Sequence, residues 1–172
     1  MKKWQISGFI FTAILGTFLH FLFDLTDRSS AAALFSAVNE SIWEHMKLLY
    51  YPMLIFAVVE SRYVMATNFW CVKLIGTLIG LVLIPVLYYT YTGVFGINAD
   101  WFNIAIFFIV AAIVFYLEAK LLGRFRGCKK TAAISLLLLI AAVFTIFTFM
   151  PPKIPLLQDP VTGTYGFYNF MP

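Results

Sequence analysis

Long apolar segments separated by short polar loops constrain this chain more than any other feature of its sequence. Of its 172 residues, 62% are apolar and only 12% are charged. A soluble domain of this size cannot bury so much apolar surface, whereas a helical bundle in a bilayer exposes it to lipid. The sequence therefore predicts an all-α fold, a polytopic membrane helix bundle.

We predict five transmembrane helices in a single domain that covers residues 1–172. A bilayer core requires about 20 residues of helix, so the second span must include the polar stretch that begins at Asn39. The predicted spans lie at about residues 5–25, 39–62, 69–95, 101–122 and 131–150. The remaining residues, 151–172, are rich in proline and glycine and are predicted to form a non-helical tail.

Basic residues in the loops predict the orientation of the bundle in the cell membrane. They concentrate at the N-terminus, after the second span and between the last two spans. These residues are Lys2, Lys3, Arg62, Lys120, Arg124, Arg126, Lys129 and Lys130. The pattern predicts a multi-pass protein with an N-in/C-out topology and with its tail on the outer face. Cys71 and Cys128 then fall near the cytoplasmic side, so we expect reduced thiols and no disulfide.

The predicted partners are lipids. The formal charge of +4 is concentrated around GRFRGCKK, and these basic residues indicate the cytoplasmic side and are expected to contact anionic lipid headgroups. No nucleic-acid partner is expected. Gly76 and Gly80 in GTLIG have the spacing that lets helices approach closely. An oligomer through this pair is possible, although a contact within the bundle is the favoured interpretation.

Ionisable residues gather near one end of the first two spans. His20 and Asp24 lie four residues apart on one helical face, and the start of the second span adds Asn39, Glu40, Glu44, His45 and Lys47. Such groups cost about 2.5–3.5 kcal/mol each within a membrane, so they face cavities, pair or serve a function. The pattern predicts an outer-face polar pocket that binds a cation or a small polar ligand.

A divalent metal ion is one candidate ligand, because imidazole and carboxylate groups suit such ions. The predicted ligand set is His20, Asp24, Glu44 and His45. The tail could form a lid to which Asp159 contributes an oxygen ligand or Tyr165 a hydroxyl, or it could serve only as an interfacial anchor. A purely structural alternative pairs Glu44 with Lys47 and uses the whole set to fix the helix hairpin.

Three functions remain open at this stage. Binding or transport through the polar pocket is preferred. A metal-dependent membrane hydrolase that acts at the outer leaflet is the first alternative, and a structural subunit of a membrane complex is the second. Recognised catalytic motifs such as H-E-x-x-H and G-x-S-x-G are missing from the sequence, which favours a protein that is not an enzyme.

Three segments carry a family resemblance: HFLFDLT, LFSAVNESIWEHMKLLYYPML and DPVTGTYG. The chain resembles a family of small multi-pass bacterial membrane proteins classed only as a domain of unknown function. The resemblance covers nearly the whole chain and implies no activity, cofactor or substrate. It implies only which positions to test, namely His20, Asp24, Asn39, Glu40, Trp43, Glu44 and His45.

Overall fold

The computed structural model describes residues 2–167, and this part of the chain is all-helical. Five long helices are joined by short loops, with one short helix after the first and a 3₁₀ turn in the tail. The helices are α1 Lys2–Leu25, α2 Ser30–Ala33, α3 Ile42–Glu60, α4 Phe69–Phe95, α5 Asp100–Leu121 and α6 Lys130–Phe149, and the 3₁₀ turn is Pro155–Leu157. The predicted all-α class is confirmed.

Four of these helices are long and apolar enough to cross a membrane. They are Lys3–Leu25, Phe69–Phe95, Asp100–Leu121 and Lys130–Phe149. At most 33% of the most apolar window in each helix is buried within the bundle. Large apolar side chains such as Ile14, Val82 and Leu138 therefore point outward, as expected where lipid replaces water.

The remaining long helix, α3, differs from the other four because it lies inside the bundle. It packs against α1, α4, α6 and the 3₁₀ turn, and Leu49 and Tyr50 are almost wholly buried. The lysine and the two glutamates of this helix, Lys47, Glu44 and Glu60, are buried as well. The helix begins at Ile42, where Ser41 accepts a hydrogen bond from the N–H of Glu44.

Successive long helices run in opposite directions, which gives the bundle two ends. The upper end contains Leu25, Ile42, Phe95, Asp100 and Phe149, and the lower end contains the opposite termini of the same helices. Interactions between residues far apart in sequence fix this arrangement. His20 approaches His45 near the upper end, and Lys73 contacts Glu118 near the lower end.

Gly76 and Gly80 form a close contact within the bundle. A Cβ atom on Gly76 would lie 2.6 Å from Oε1 of Glu118 on α5, and one on Gly80 would lie 2.6 Å from Leu49 on α3. Both glycines are buried. The small-residue spacing in α4 therefore lets α5 and α3 approach it closely.

The tail folds back over the upper end of the bundle. Leu157 is buried, and the backbone N–H of Phe167 donates to the carbonyl of Thr148 at 2.7 Å. The Phe167 ring packs against Phe23 and Phe149. The described part of the chain ends at Phe167. The final part of the predicted tail, residues 168–172, therefore lies outside the described residues.

The expectation of two free thiols is wrong for this structure, because Cys71 and Cys128 form a disulfide. Their Cα atoms lie 5.8 Å apart although 57 residues separate them in the sequence. Cys71 is in the first turn of α4 and Cys128 lies just before α6, and α4 packs on α6. The predicted cytoplasmic location favoured reduced thiols. Only the packing of these helices shows that the two sulfur atoms meet.

Candidate functional site

Two histidines and a glutamate meet at the upper end of the bundle. His20, Glu40 and His45, which we call the upper cluster, each offer one ligand atom, and these atoms all lie within 4.8 Å of one another. His20 comes from the last two turns of α1, Glu40 from the loop before α3, and His45 from the first turns of α3. The short connection between α1 and α3 therefore brings the three side chains together.

The start of α3 holds the imidazole of His45 in one orientation. Its Nδ1 lies 2.9 Å from the carbonyl oxygen of Ser41, so Nδ1 carries the proton and donates it to that carbonyl. In the neutral ring Nε2 then has a lone pair, and it lies 3.5 Å from Oε2 of Glu40. A backbone carbonyl that orients the second ring nitrogen is typical of metal-binding histidines.

His20 adds a second nitrogen to this arrangement. Its ring centroid lies 5.4 Å from that of His45, and its Nδ1 is buried without a hydrogen-bond partner in the described structure. Buried polar atoms are nearly always paired, so an unpaired ring nitrogen requires an explanation. One nitrogen from each imidazole and a carboxylate oxygen converge on one small volume, an arrangement that can hold a cation.

A cavity of about 450 Å³ lies beside the upper cluster. Its polar lining includes the upper cluster together with Asn98, Asp100 and Asn103 around the start of α5. The deeper walls are apolar and include Ile84 and Phe108, which lie near the middle of α4 and α5. The cavity thus has a polar region at the upper end and an apolar region near mid-bundle, a division typical of small-molecule sites.

A hydrogen-bonded group supports the rim of this cavity. The Tyr91 hydroxyl donates to Oδ1 of Asn103 or of Asn98, at 2.5 Å and 3.0 Å, and accepts from the backbone N–H of Ala99. Asn103 also donates to Asn98 at 2.8 Å. These contacts fix the α4–α5 connection, and sequence analysis did not identify this group.

Two predicted site residues lie close to the upper cluster but make other contacts. Asp24 is exposed and pairs with Arg28 at 3.6 Å. Asn39 accepts a hydrogen bond from the N–H of Ser41 and donates to the carbonyl of Gly166, so it ties the tail to the start of α3. Glu40 is therefore the carboxylate that the fold brings to both histidines.

Glu44 and Lys47 face the interior, where they form a separate network. Lys47 Nζ lies 2.6 Å from Glu44 Oε2 and donates to the carbonyl of Ala33 and to Thr148 Oγ1, each at 2.9 Å. Glu44 also accepts a hydrogen bond from the N–H of Val38. The side chains of both residues are at most 1% exposed. The Glu44–Lys47 pair is the one that the purely structural interpretation of the sequence predicts. Together with its hydrogen bonds, the pair joins α2, α3 and α6.

Asp159 organises the tail internally. Its carboxylate accepts hydrogen bonds from the N–H of Val161 at 2.8 Å and from the Thr162 hydroxyl at 2.7 Å. Tyr165 forms an isolated antiparallel bridge with Gln158. The part of the tail that reaches the cavity is Pro160 and Val161, which line it.

A second polar cluster, the lower cluster, lies at the opposite end of the bundle. Lys73 Nζ is 2.6 Å from Glu60 Oε2 and 2.5 Å from Glu118 Oε2, and Gln5 Nε2 donates to Glu60 Oε1 at 2.6 Å. All four side chains are buried. Sequence analysis did not connect them, although each charged residue stands near the lower end of a different helix.

The chain is thus a helical bundle with an apolar exterior, a cavity with a polar region at its upper end and a buried charge cluster at its lower end. It belongs to a family of unknown function, DUF6512, whose sequence model matches residues 1–167. This result confirms the resemblance to a family of unknown function. No curated protein and no solved structure matches the chain.

Proposed function

We propose that this chain is a multi-pass protein of the cell membrane that binds a divalent transition-metal cation at its upper cluster. His20, Glu40 and His45 provide two nitrogen ligands and one oxygen ligand, a set that suits zinc and similar ions. The observation that carries this proposal is the convergence of the three ligand atoms within 4.8 Å. The cavity beside the cluster would leave room for a further ligand on the ion.

Five spans and an N-in/C-out orientation belong to the same proposal. The 19 residues of α3 extend about 28 Å, close to the hydrocarbon thickness of about 30 Å. Burial inside the bundle lets α3 carry its charges through the membrane. Nine of the 12 lysines and arginines, the buried Lys73 included, lie at the lower end, which favours a cytoplasmic lower end.

The topology can be tested with reporters fused after residue 172. Alkaline phosphatase should be active there and green fluorescent protein should remain dark, because the C-terminus is expected outside the cytoplasm. The opposite pair of results would reverse the proposed orientation. Fusions in the loop between α5 and α6 provide the reciprocal control.

Metal analysis of the purified protein tests the binding proposal. Wild type, a His20→Ala/His45→Ala variant and an Asp24→Asn variant would be stripped with chelator, reloaded with zinc or manganese and analysed by inductively coupled plasma mass spectrometry. Wild type and Asp24→Asn should retain about one ion per chain, while the double variant retains none. Asp24 is the matched control because its carboxylate lies near the same end but pairs with Arg28.

A wild-type protein that holds no metal after reloading would overturn the proposal. Equal retention by the double variant would also overturn it, since the ion would then bind elsewhere. Thermal unfolding in detergent distinguishes loss of the ligands from loss of the fold.

A metal-dependent hydrolase is the second candidate. Three protein ligands with room for a water molecule are typical of catalytic zinc sites, and the adjoining cavity continues into an apolar region that suits an acyl chain. Lipid hydrolysis by the metal-loaded protein, absent in the double histidine variant, would favour catalysis over binding.

A further inference from the structure

The lower cluster contains more acidic groups than basic groups. Lys73 on α4 contacts two carboxylates, Glu60 on α3 and Glu118 on α5, and Gln5 on α1 is neutral. In the described part of the chain, no other ion pair joins these residues. If every group were ionised, the cluster would carry one net negative charge.

That charge would lie in a strongly apolar environment. Glu60 and Glu118 are 0% exposed and Lys73 is 3% exposed. The rings of Phe69 and Phe115 lie 5.4 Å and 5.5 Å from Lys73 Nζ. An uncompensated charge is very unfavourable in such surroundings, so the cluster requires one further positive charge.

The geometry favours a proton over a metal ion as that charge. The ammonium group of Lys73 already occupies the position between the two carboxylates, at 2.6 Å and 2.5 Å from their Oε2 atoms. The backbone of α4 limits the remaining space, since a Cβ on Gly76 would approach Glu118 Oε1 to 2.6 Å. A proton adds almost no volume to the cluster.

The two carboxylates are not equivalent. Oε1 of Glu60 accepts a hydrogen bond from Gln5, and its Oε2 lies 2.6 Å from the ammonium nitrogen of Lys73 in an ion pair without a hydrogen bond. Glu118 accepts a hydrogen bond from Lys73 through Oε2, but in the described structure its Oε1 is buried with no hydrogen-bond partner. Both oxygens of Glu60 therefore face a donor or a positive charge, whereas only one oxygen of Glu118 does, so Glu118 is the less stabilised anion and the one that holds a proton.

We propose that the lower cluster is a proton-binding site in which Glu118 holds one excess proton and Lys73 is the fixed counter-ion. The charged groups that face Glu118 are Lys73 from α4 and Glu60 from α3, while α1 contributes the Gln5 amide. Buried carboxylic acids in membrane helices serve in proton relays, and the lower cluster has this chemistry. The proposal does not depend on the upper cluster, which lies at the other end of the bundle.

Infrared difference spectroscopy of the purified protein tests this assignment at neutral pH. Wild type should show the carbonyl stretch of one buried protonated carboxylic acid, and this band should shift on exchange into D₂O. Glu118→Gln and Glu60→Gln should each abolish the band, because a single remaining carboxylate then matches the single ammonium group. Glu118→Asp keeps an acid at that position and should shift the band, whereas Glu60→Asp should leave its frequency unchanged; the reverse result would assign the proton to Glu60 and overturn the proposal.

An Asp27→Asn variant serves as the control, because Asp27 is an exposed carboxylate at the other end of the bundle. Its spectrum should match that of wild type. The absence of a protonated-acid band in wild type would overturn the proposal without any variant. Persistence of the band in folded Glu118→Gln protein would overturn it as well, and so would a stoichiometric sodium or metal ion lost from that variant.

Discussion

The ammonium nitrogen of Lys47 lies 2.6 Å from a carboxylate oxygen of Glu44, one helical turn earlier in α3, and both side chains are fully enclosed by the bundle. Thr148 on α6 and backbone groups near α2 complete their hydrogen bonds. The pair thus links helices that are far apart in the sequence.

Removal of one partner from this network should destabilise the protein strongly. Lys47→Met leaves the Glu44 carboxylate buried without its counter-ion, and we expect a loss of about 3–5 kcal/mol in unfolding free energy. Unfolding by denaturant in detergent micelles measures this change. The double variant Glu44→Gln/Lys47→Met should recover much of the loss, whereas additive losses would contradict this account of the pair.

Glu40 should contribute directly to metal affinity. Glu40→Gln replaces an anionic oxygen ligand of the upper cluster with a neutral amide, and we expect zinc to bind at least about tenfold more weakly, as loss of a supporting group around a metal typically produces. Competition with a fluorescent chelator measures the dissociation constant. Asp24→Asn should leave the constant unchanged, and an equal loss in that control would indicate a general charge effect.

Gly76 should tolerate no side chain, whereas Gly93 in the same helix should tolerate one. A Cβ at Gly76 collides with Glu118, but one at Gly93 meets nothing within 4 Å. We expect Gly76→Ala to cost about 1–3 kcal/mol through overpacking. Gly93→Ala should be neutral or stabilising by up to about 1 kcal/mol, because alanine favours the helix. Thermal unfolding of both variants in one detergent measures the contrast.

The Asp159 carboxylate should determine whether the tail stays folded over the cavity. Asp159→Ala removes the acceptor for Val161 N–H and the Thr162 hydroxyl, so limited proteolysis should cleave the tail faster than in wild type. Asp159→Asn keeps one acceptor oxygen and should have a smaller effect. Equal cleavage of wild type and Asp159→Ala would show that packing of Leu157 and Phe167 suffices to hold the tail.

The disulfide and the proposed orientation make opposite predictions for the thiols in cells. Cys71 and Cys128 are joined at the lower end, whereas the basic residues favour a cytoplasmic lower end, a compartment that keeps thiols reduced. Alkylation in intact cells decides between them. No added alkyl group before reduction would confirm the disulfide, place the lower end in an oxidising compartment and reverse the topology, whereas two added groups per chain would show reduced thiols and support the proposed orientation. The Cys71→Ser/Cys128→Ser variant is the control for labelling.

The helical elements follow closely from local sequence. The third predicted span, 69–95, coincides with α4 Phe69–Phe95, and the final two spans differ from α5 and α6 by one residue at each end. The second span was harder to predict, because α3 carries charges that no lipid-facing helix of this length would tolerate. Sequence analysis placed α3 in the membrane but had no means of showing that it lies at the centre of the bundle.

The sequence by itself determined an all-helical chain with an apolar exterior, because helix length and hydropathy are properties of each segment. It also indicated that His20 and His45 lie near each other, since a short connection makes their helices neighbours. Only the tertiary structure selected Glu40 as the third group and turned Glu44 and Lys47 toward Thr148. It alone joined Cys71 to Cys128 and gathered Glu60, Lys73 and Glu118 into one cluster. These contacts depend on how each helix is rotated and packed against the others, and that information is distributed over the whole chain.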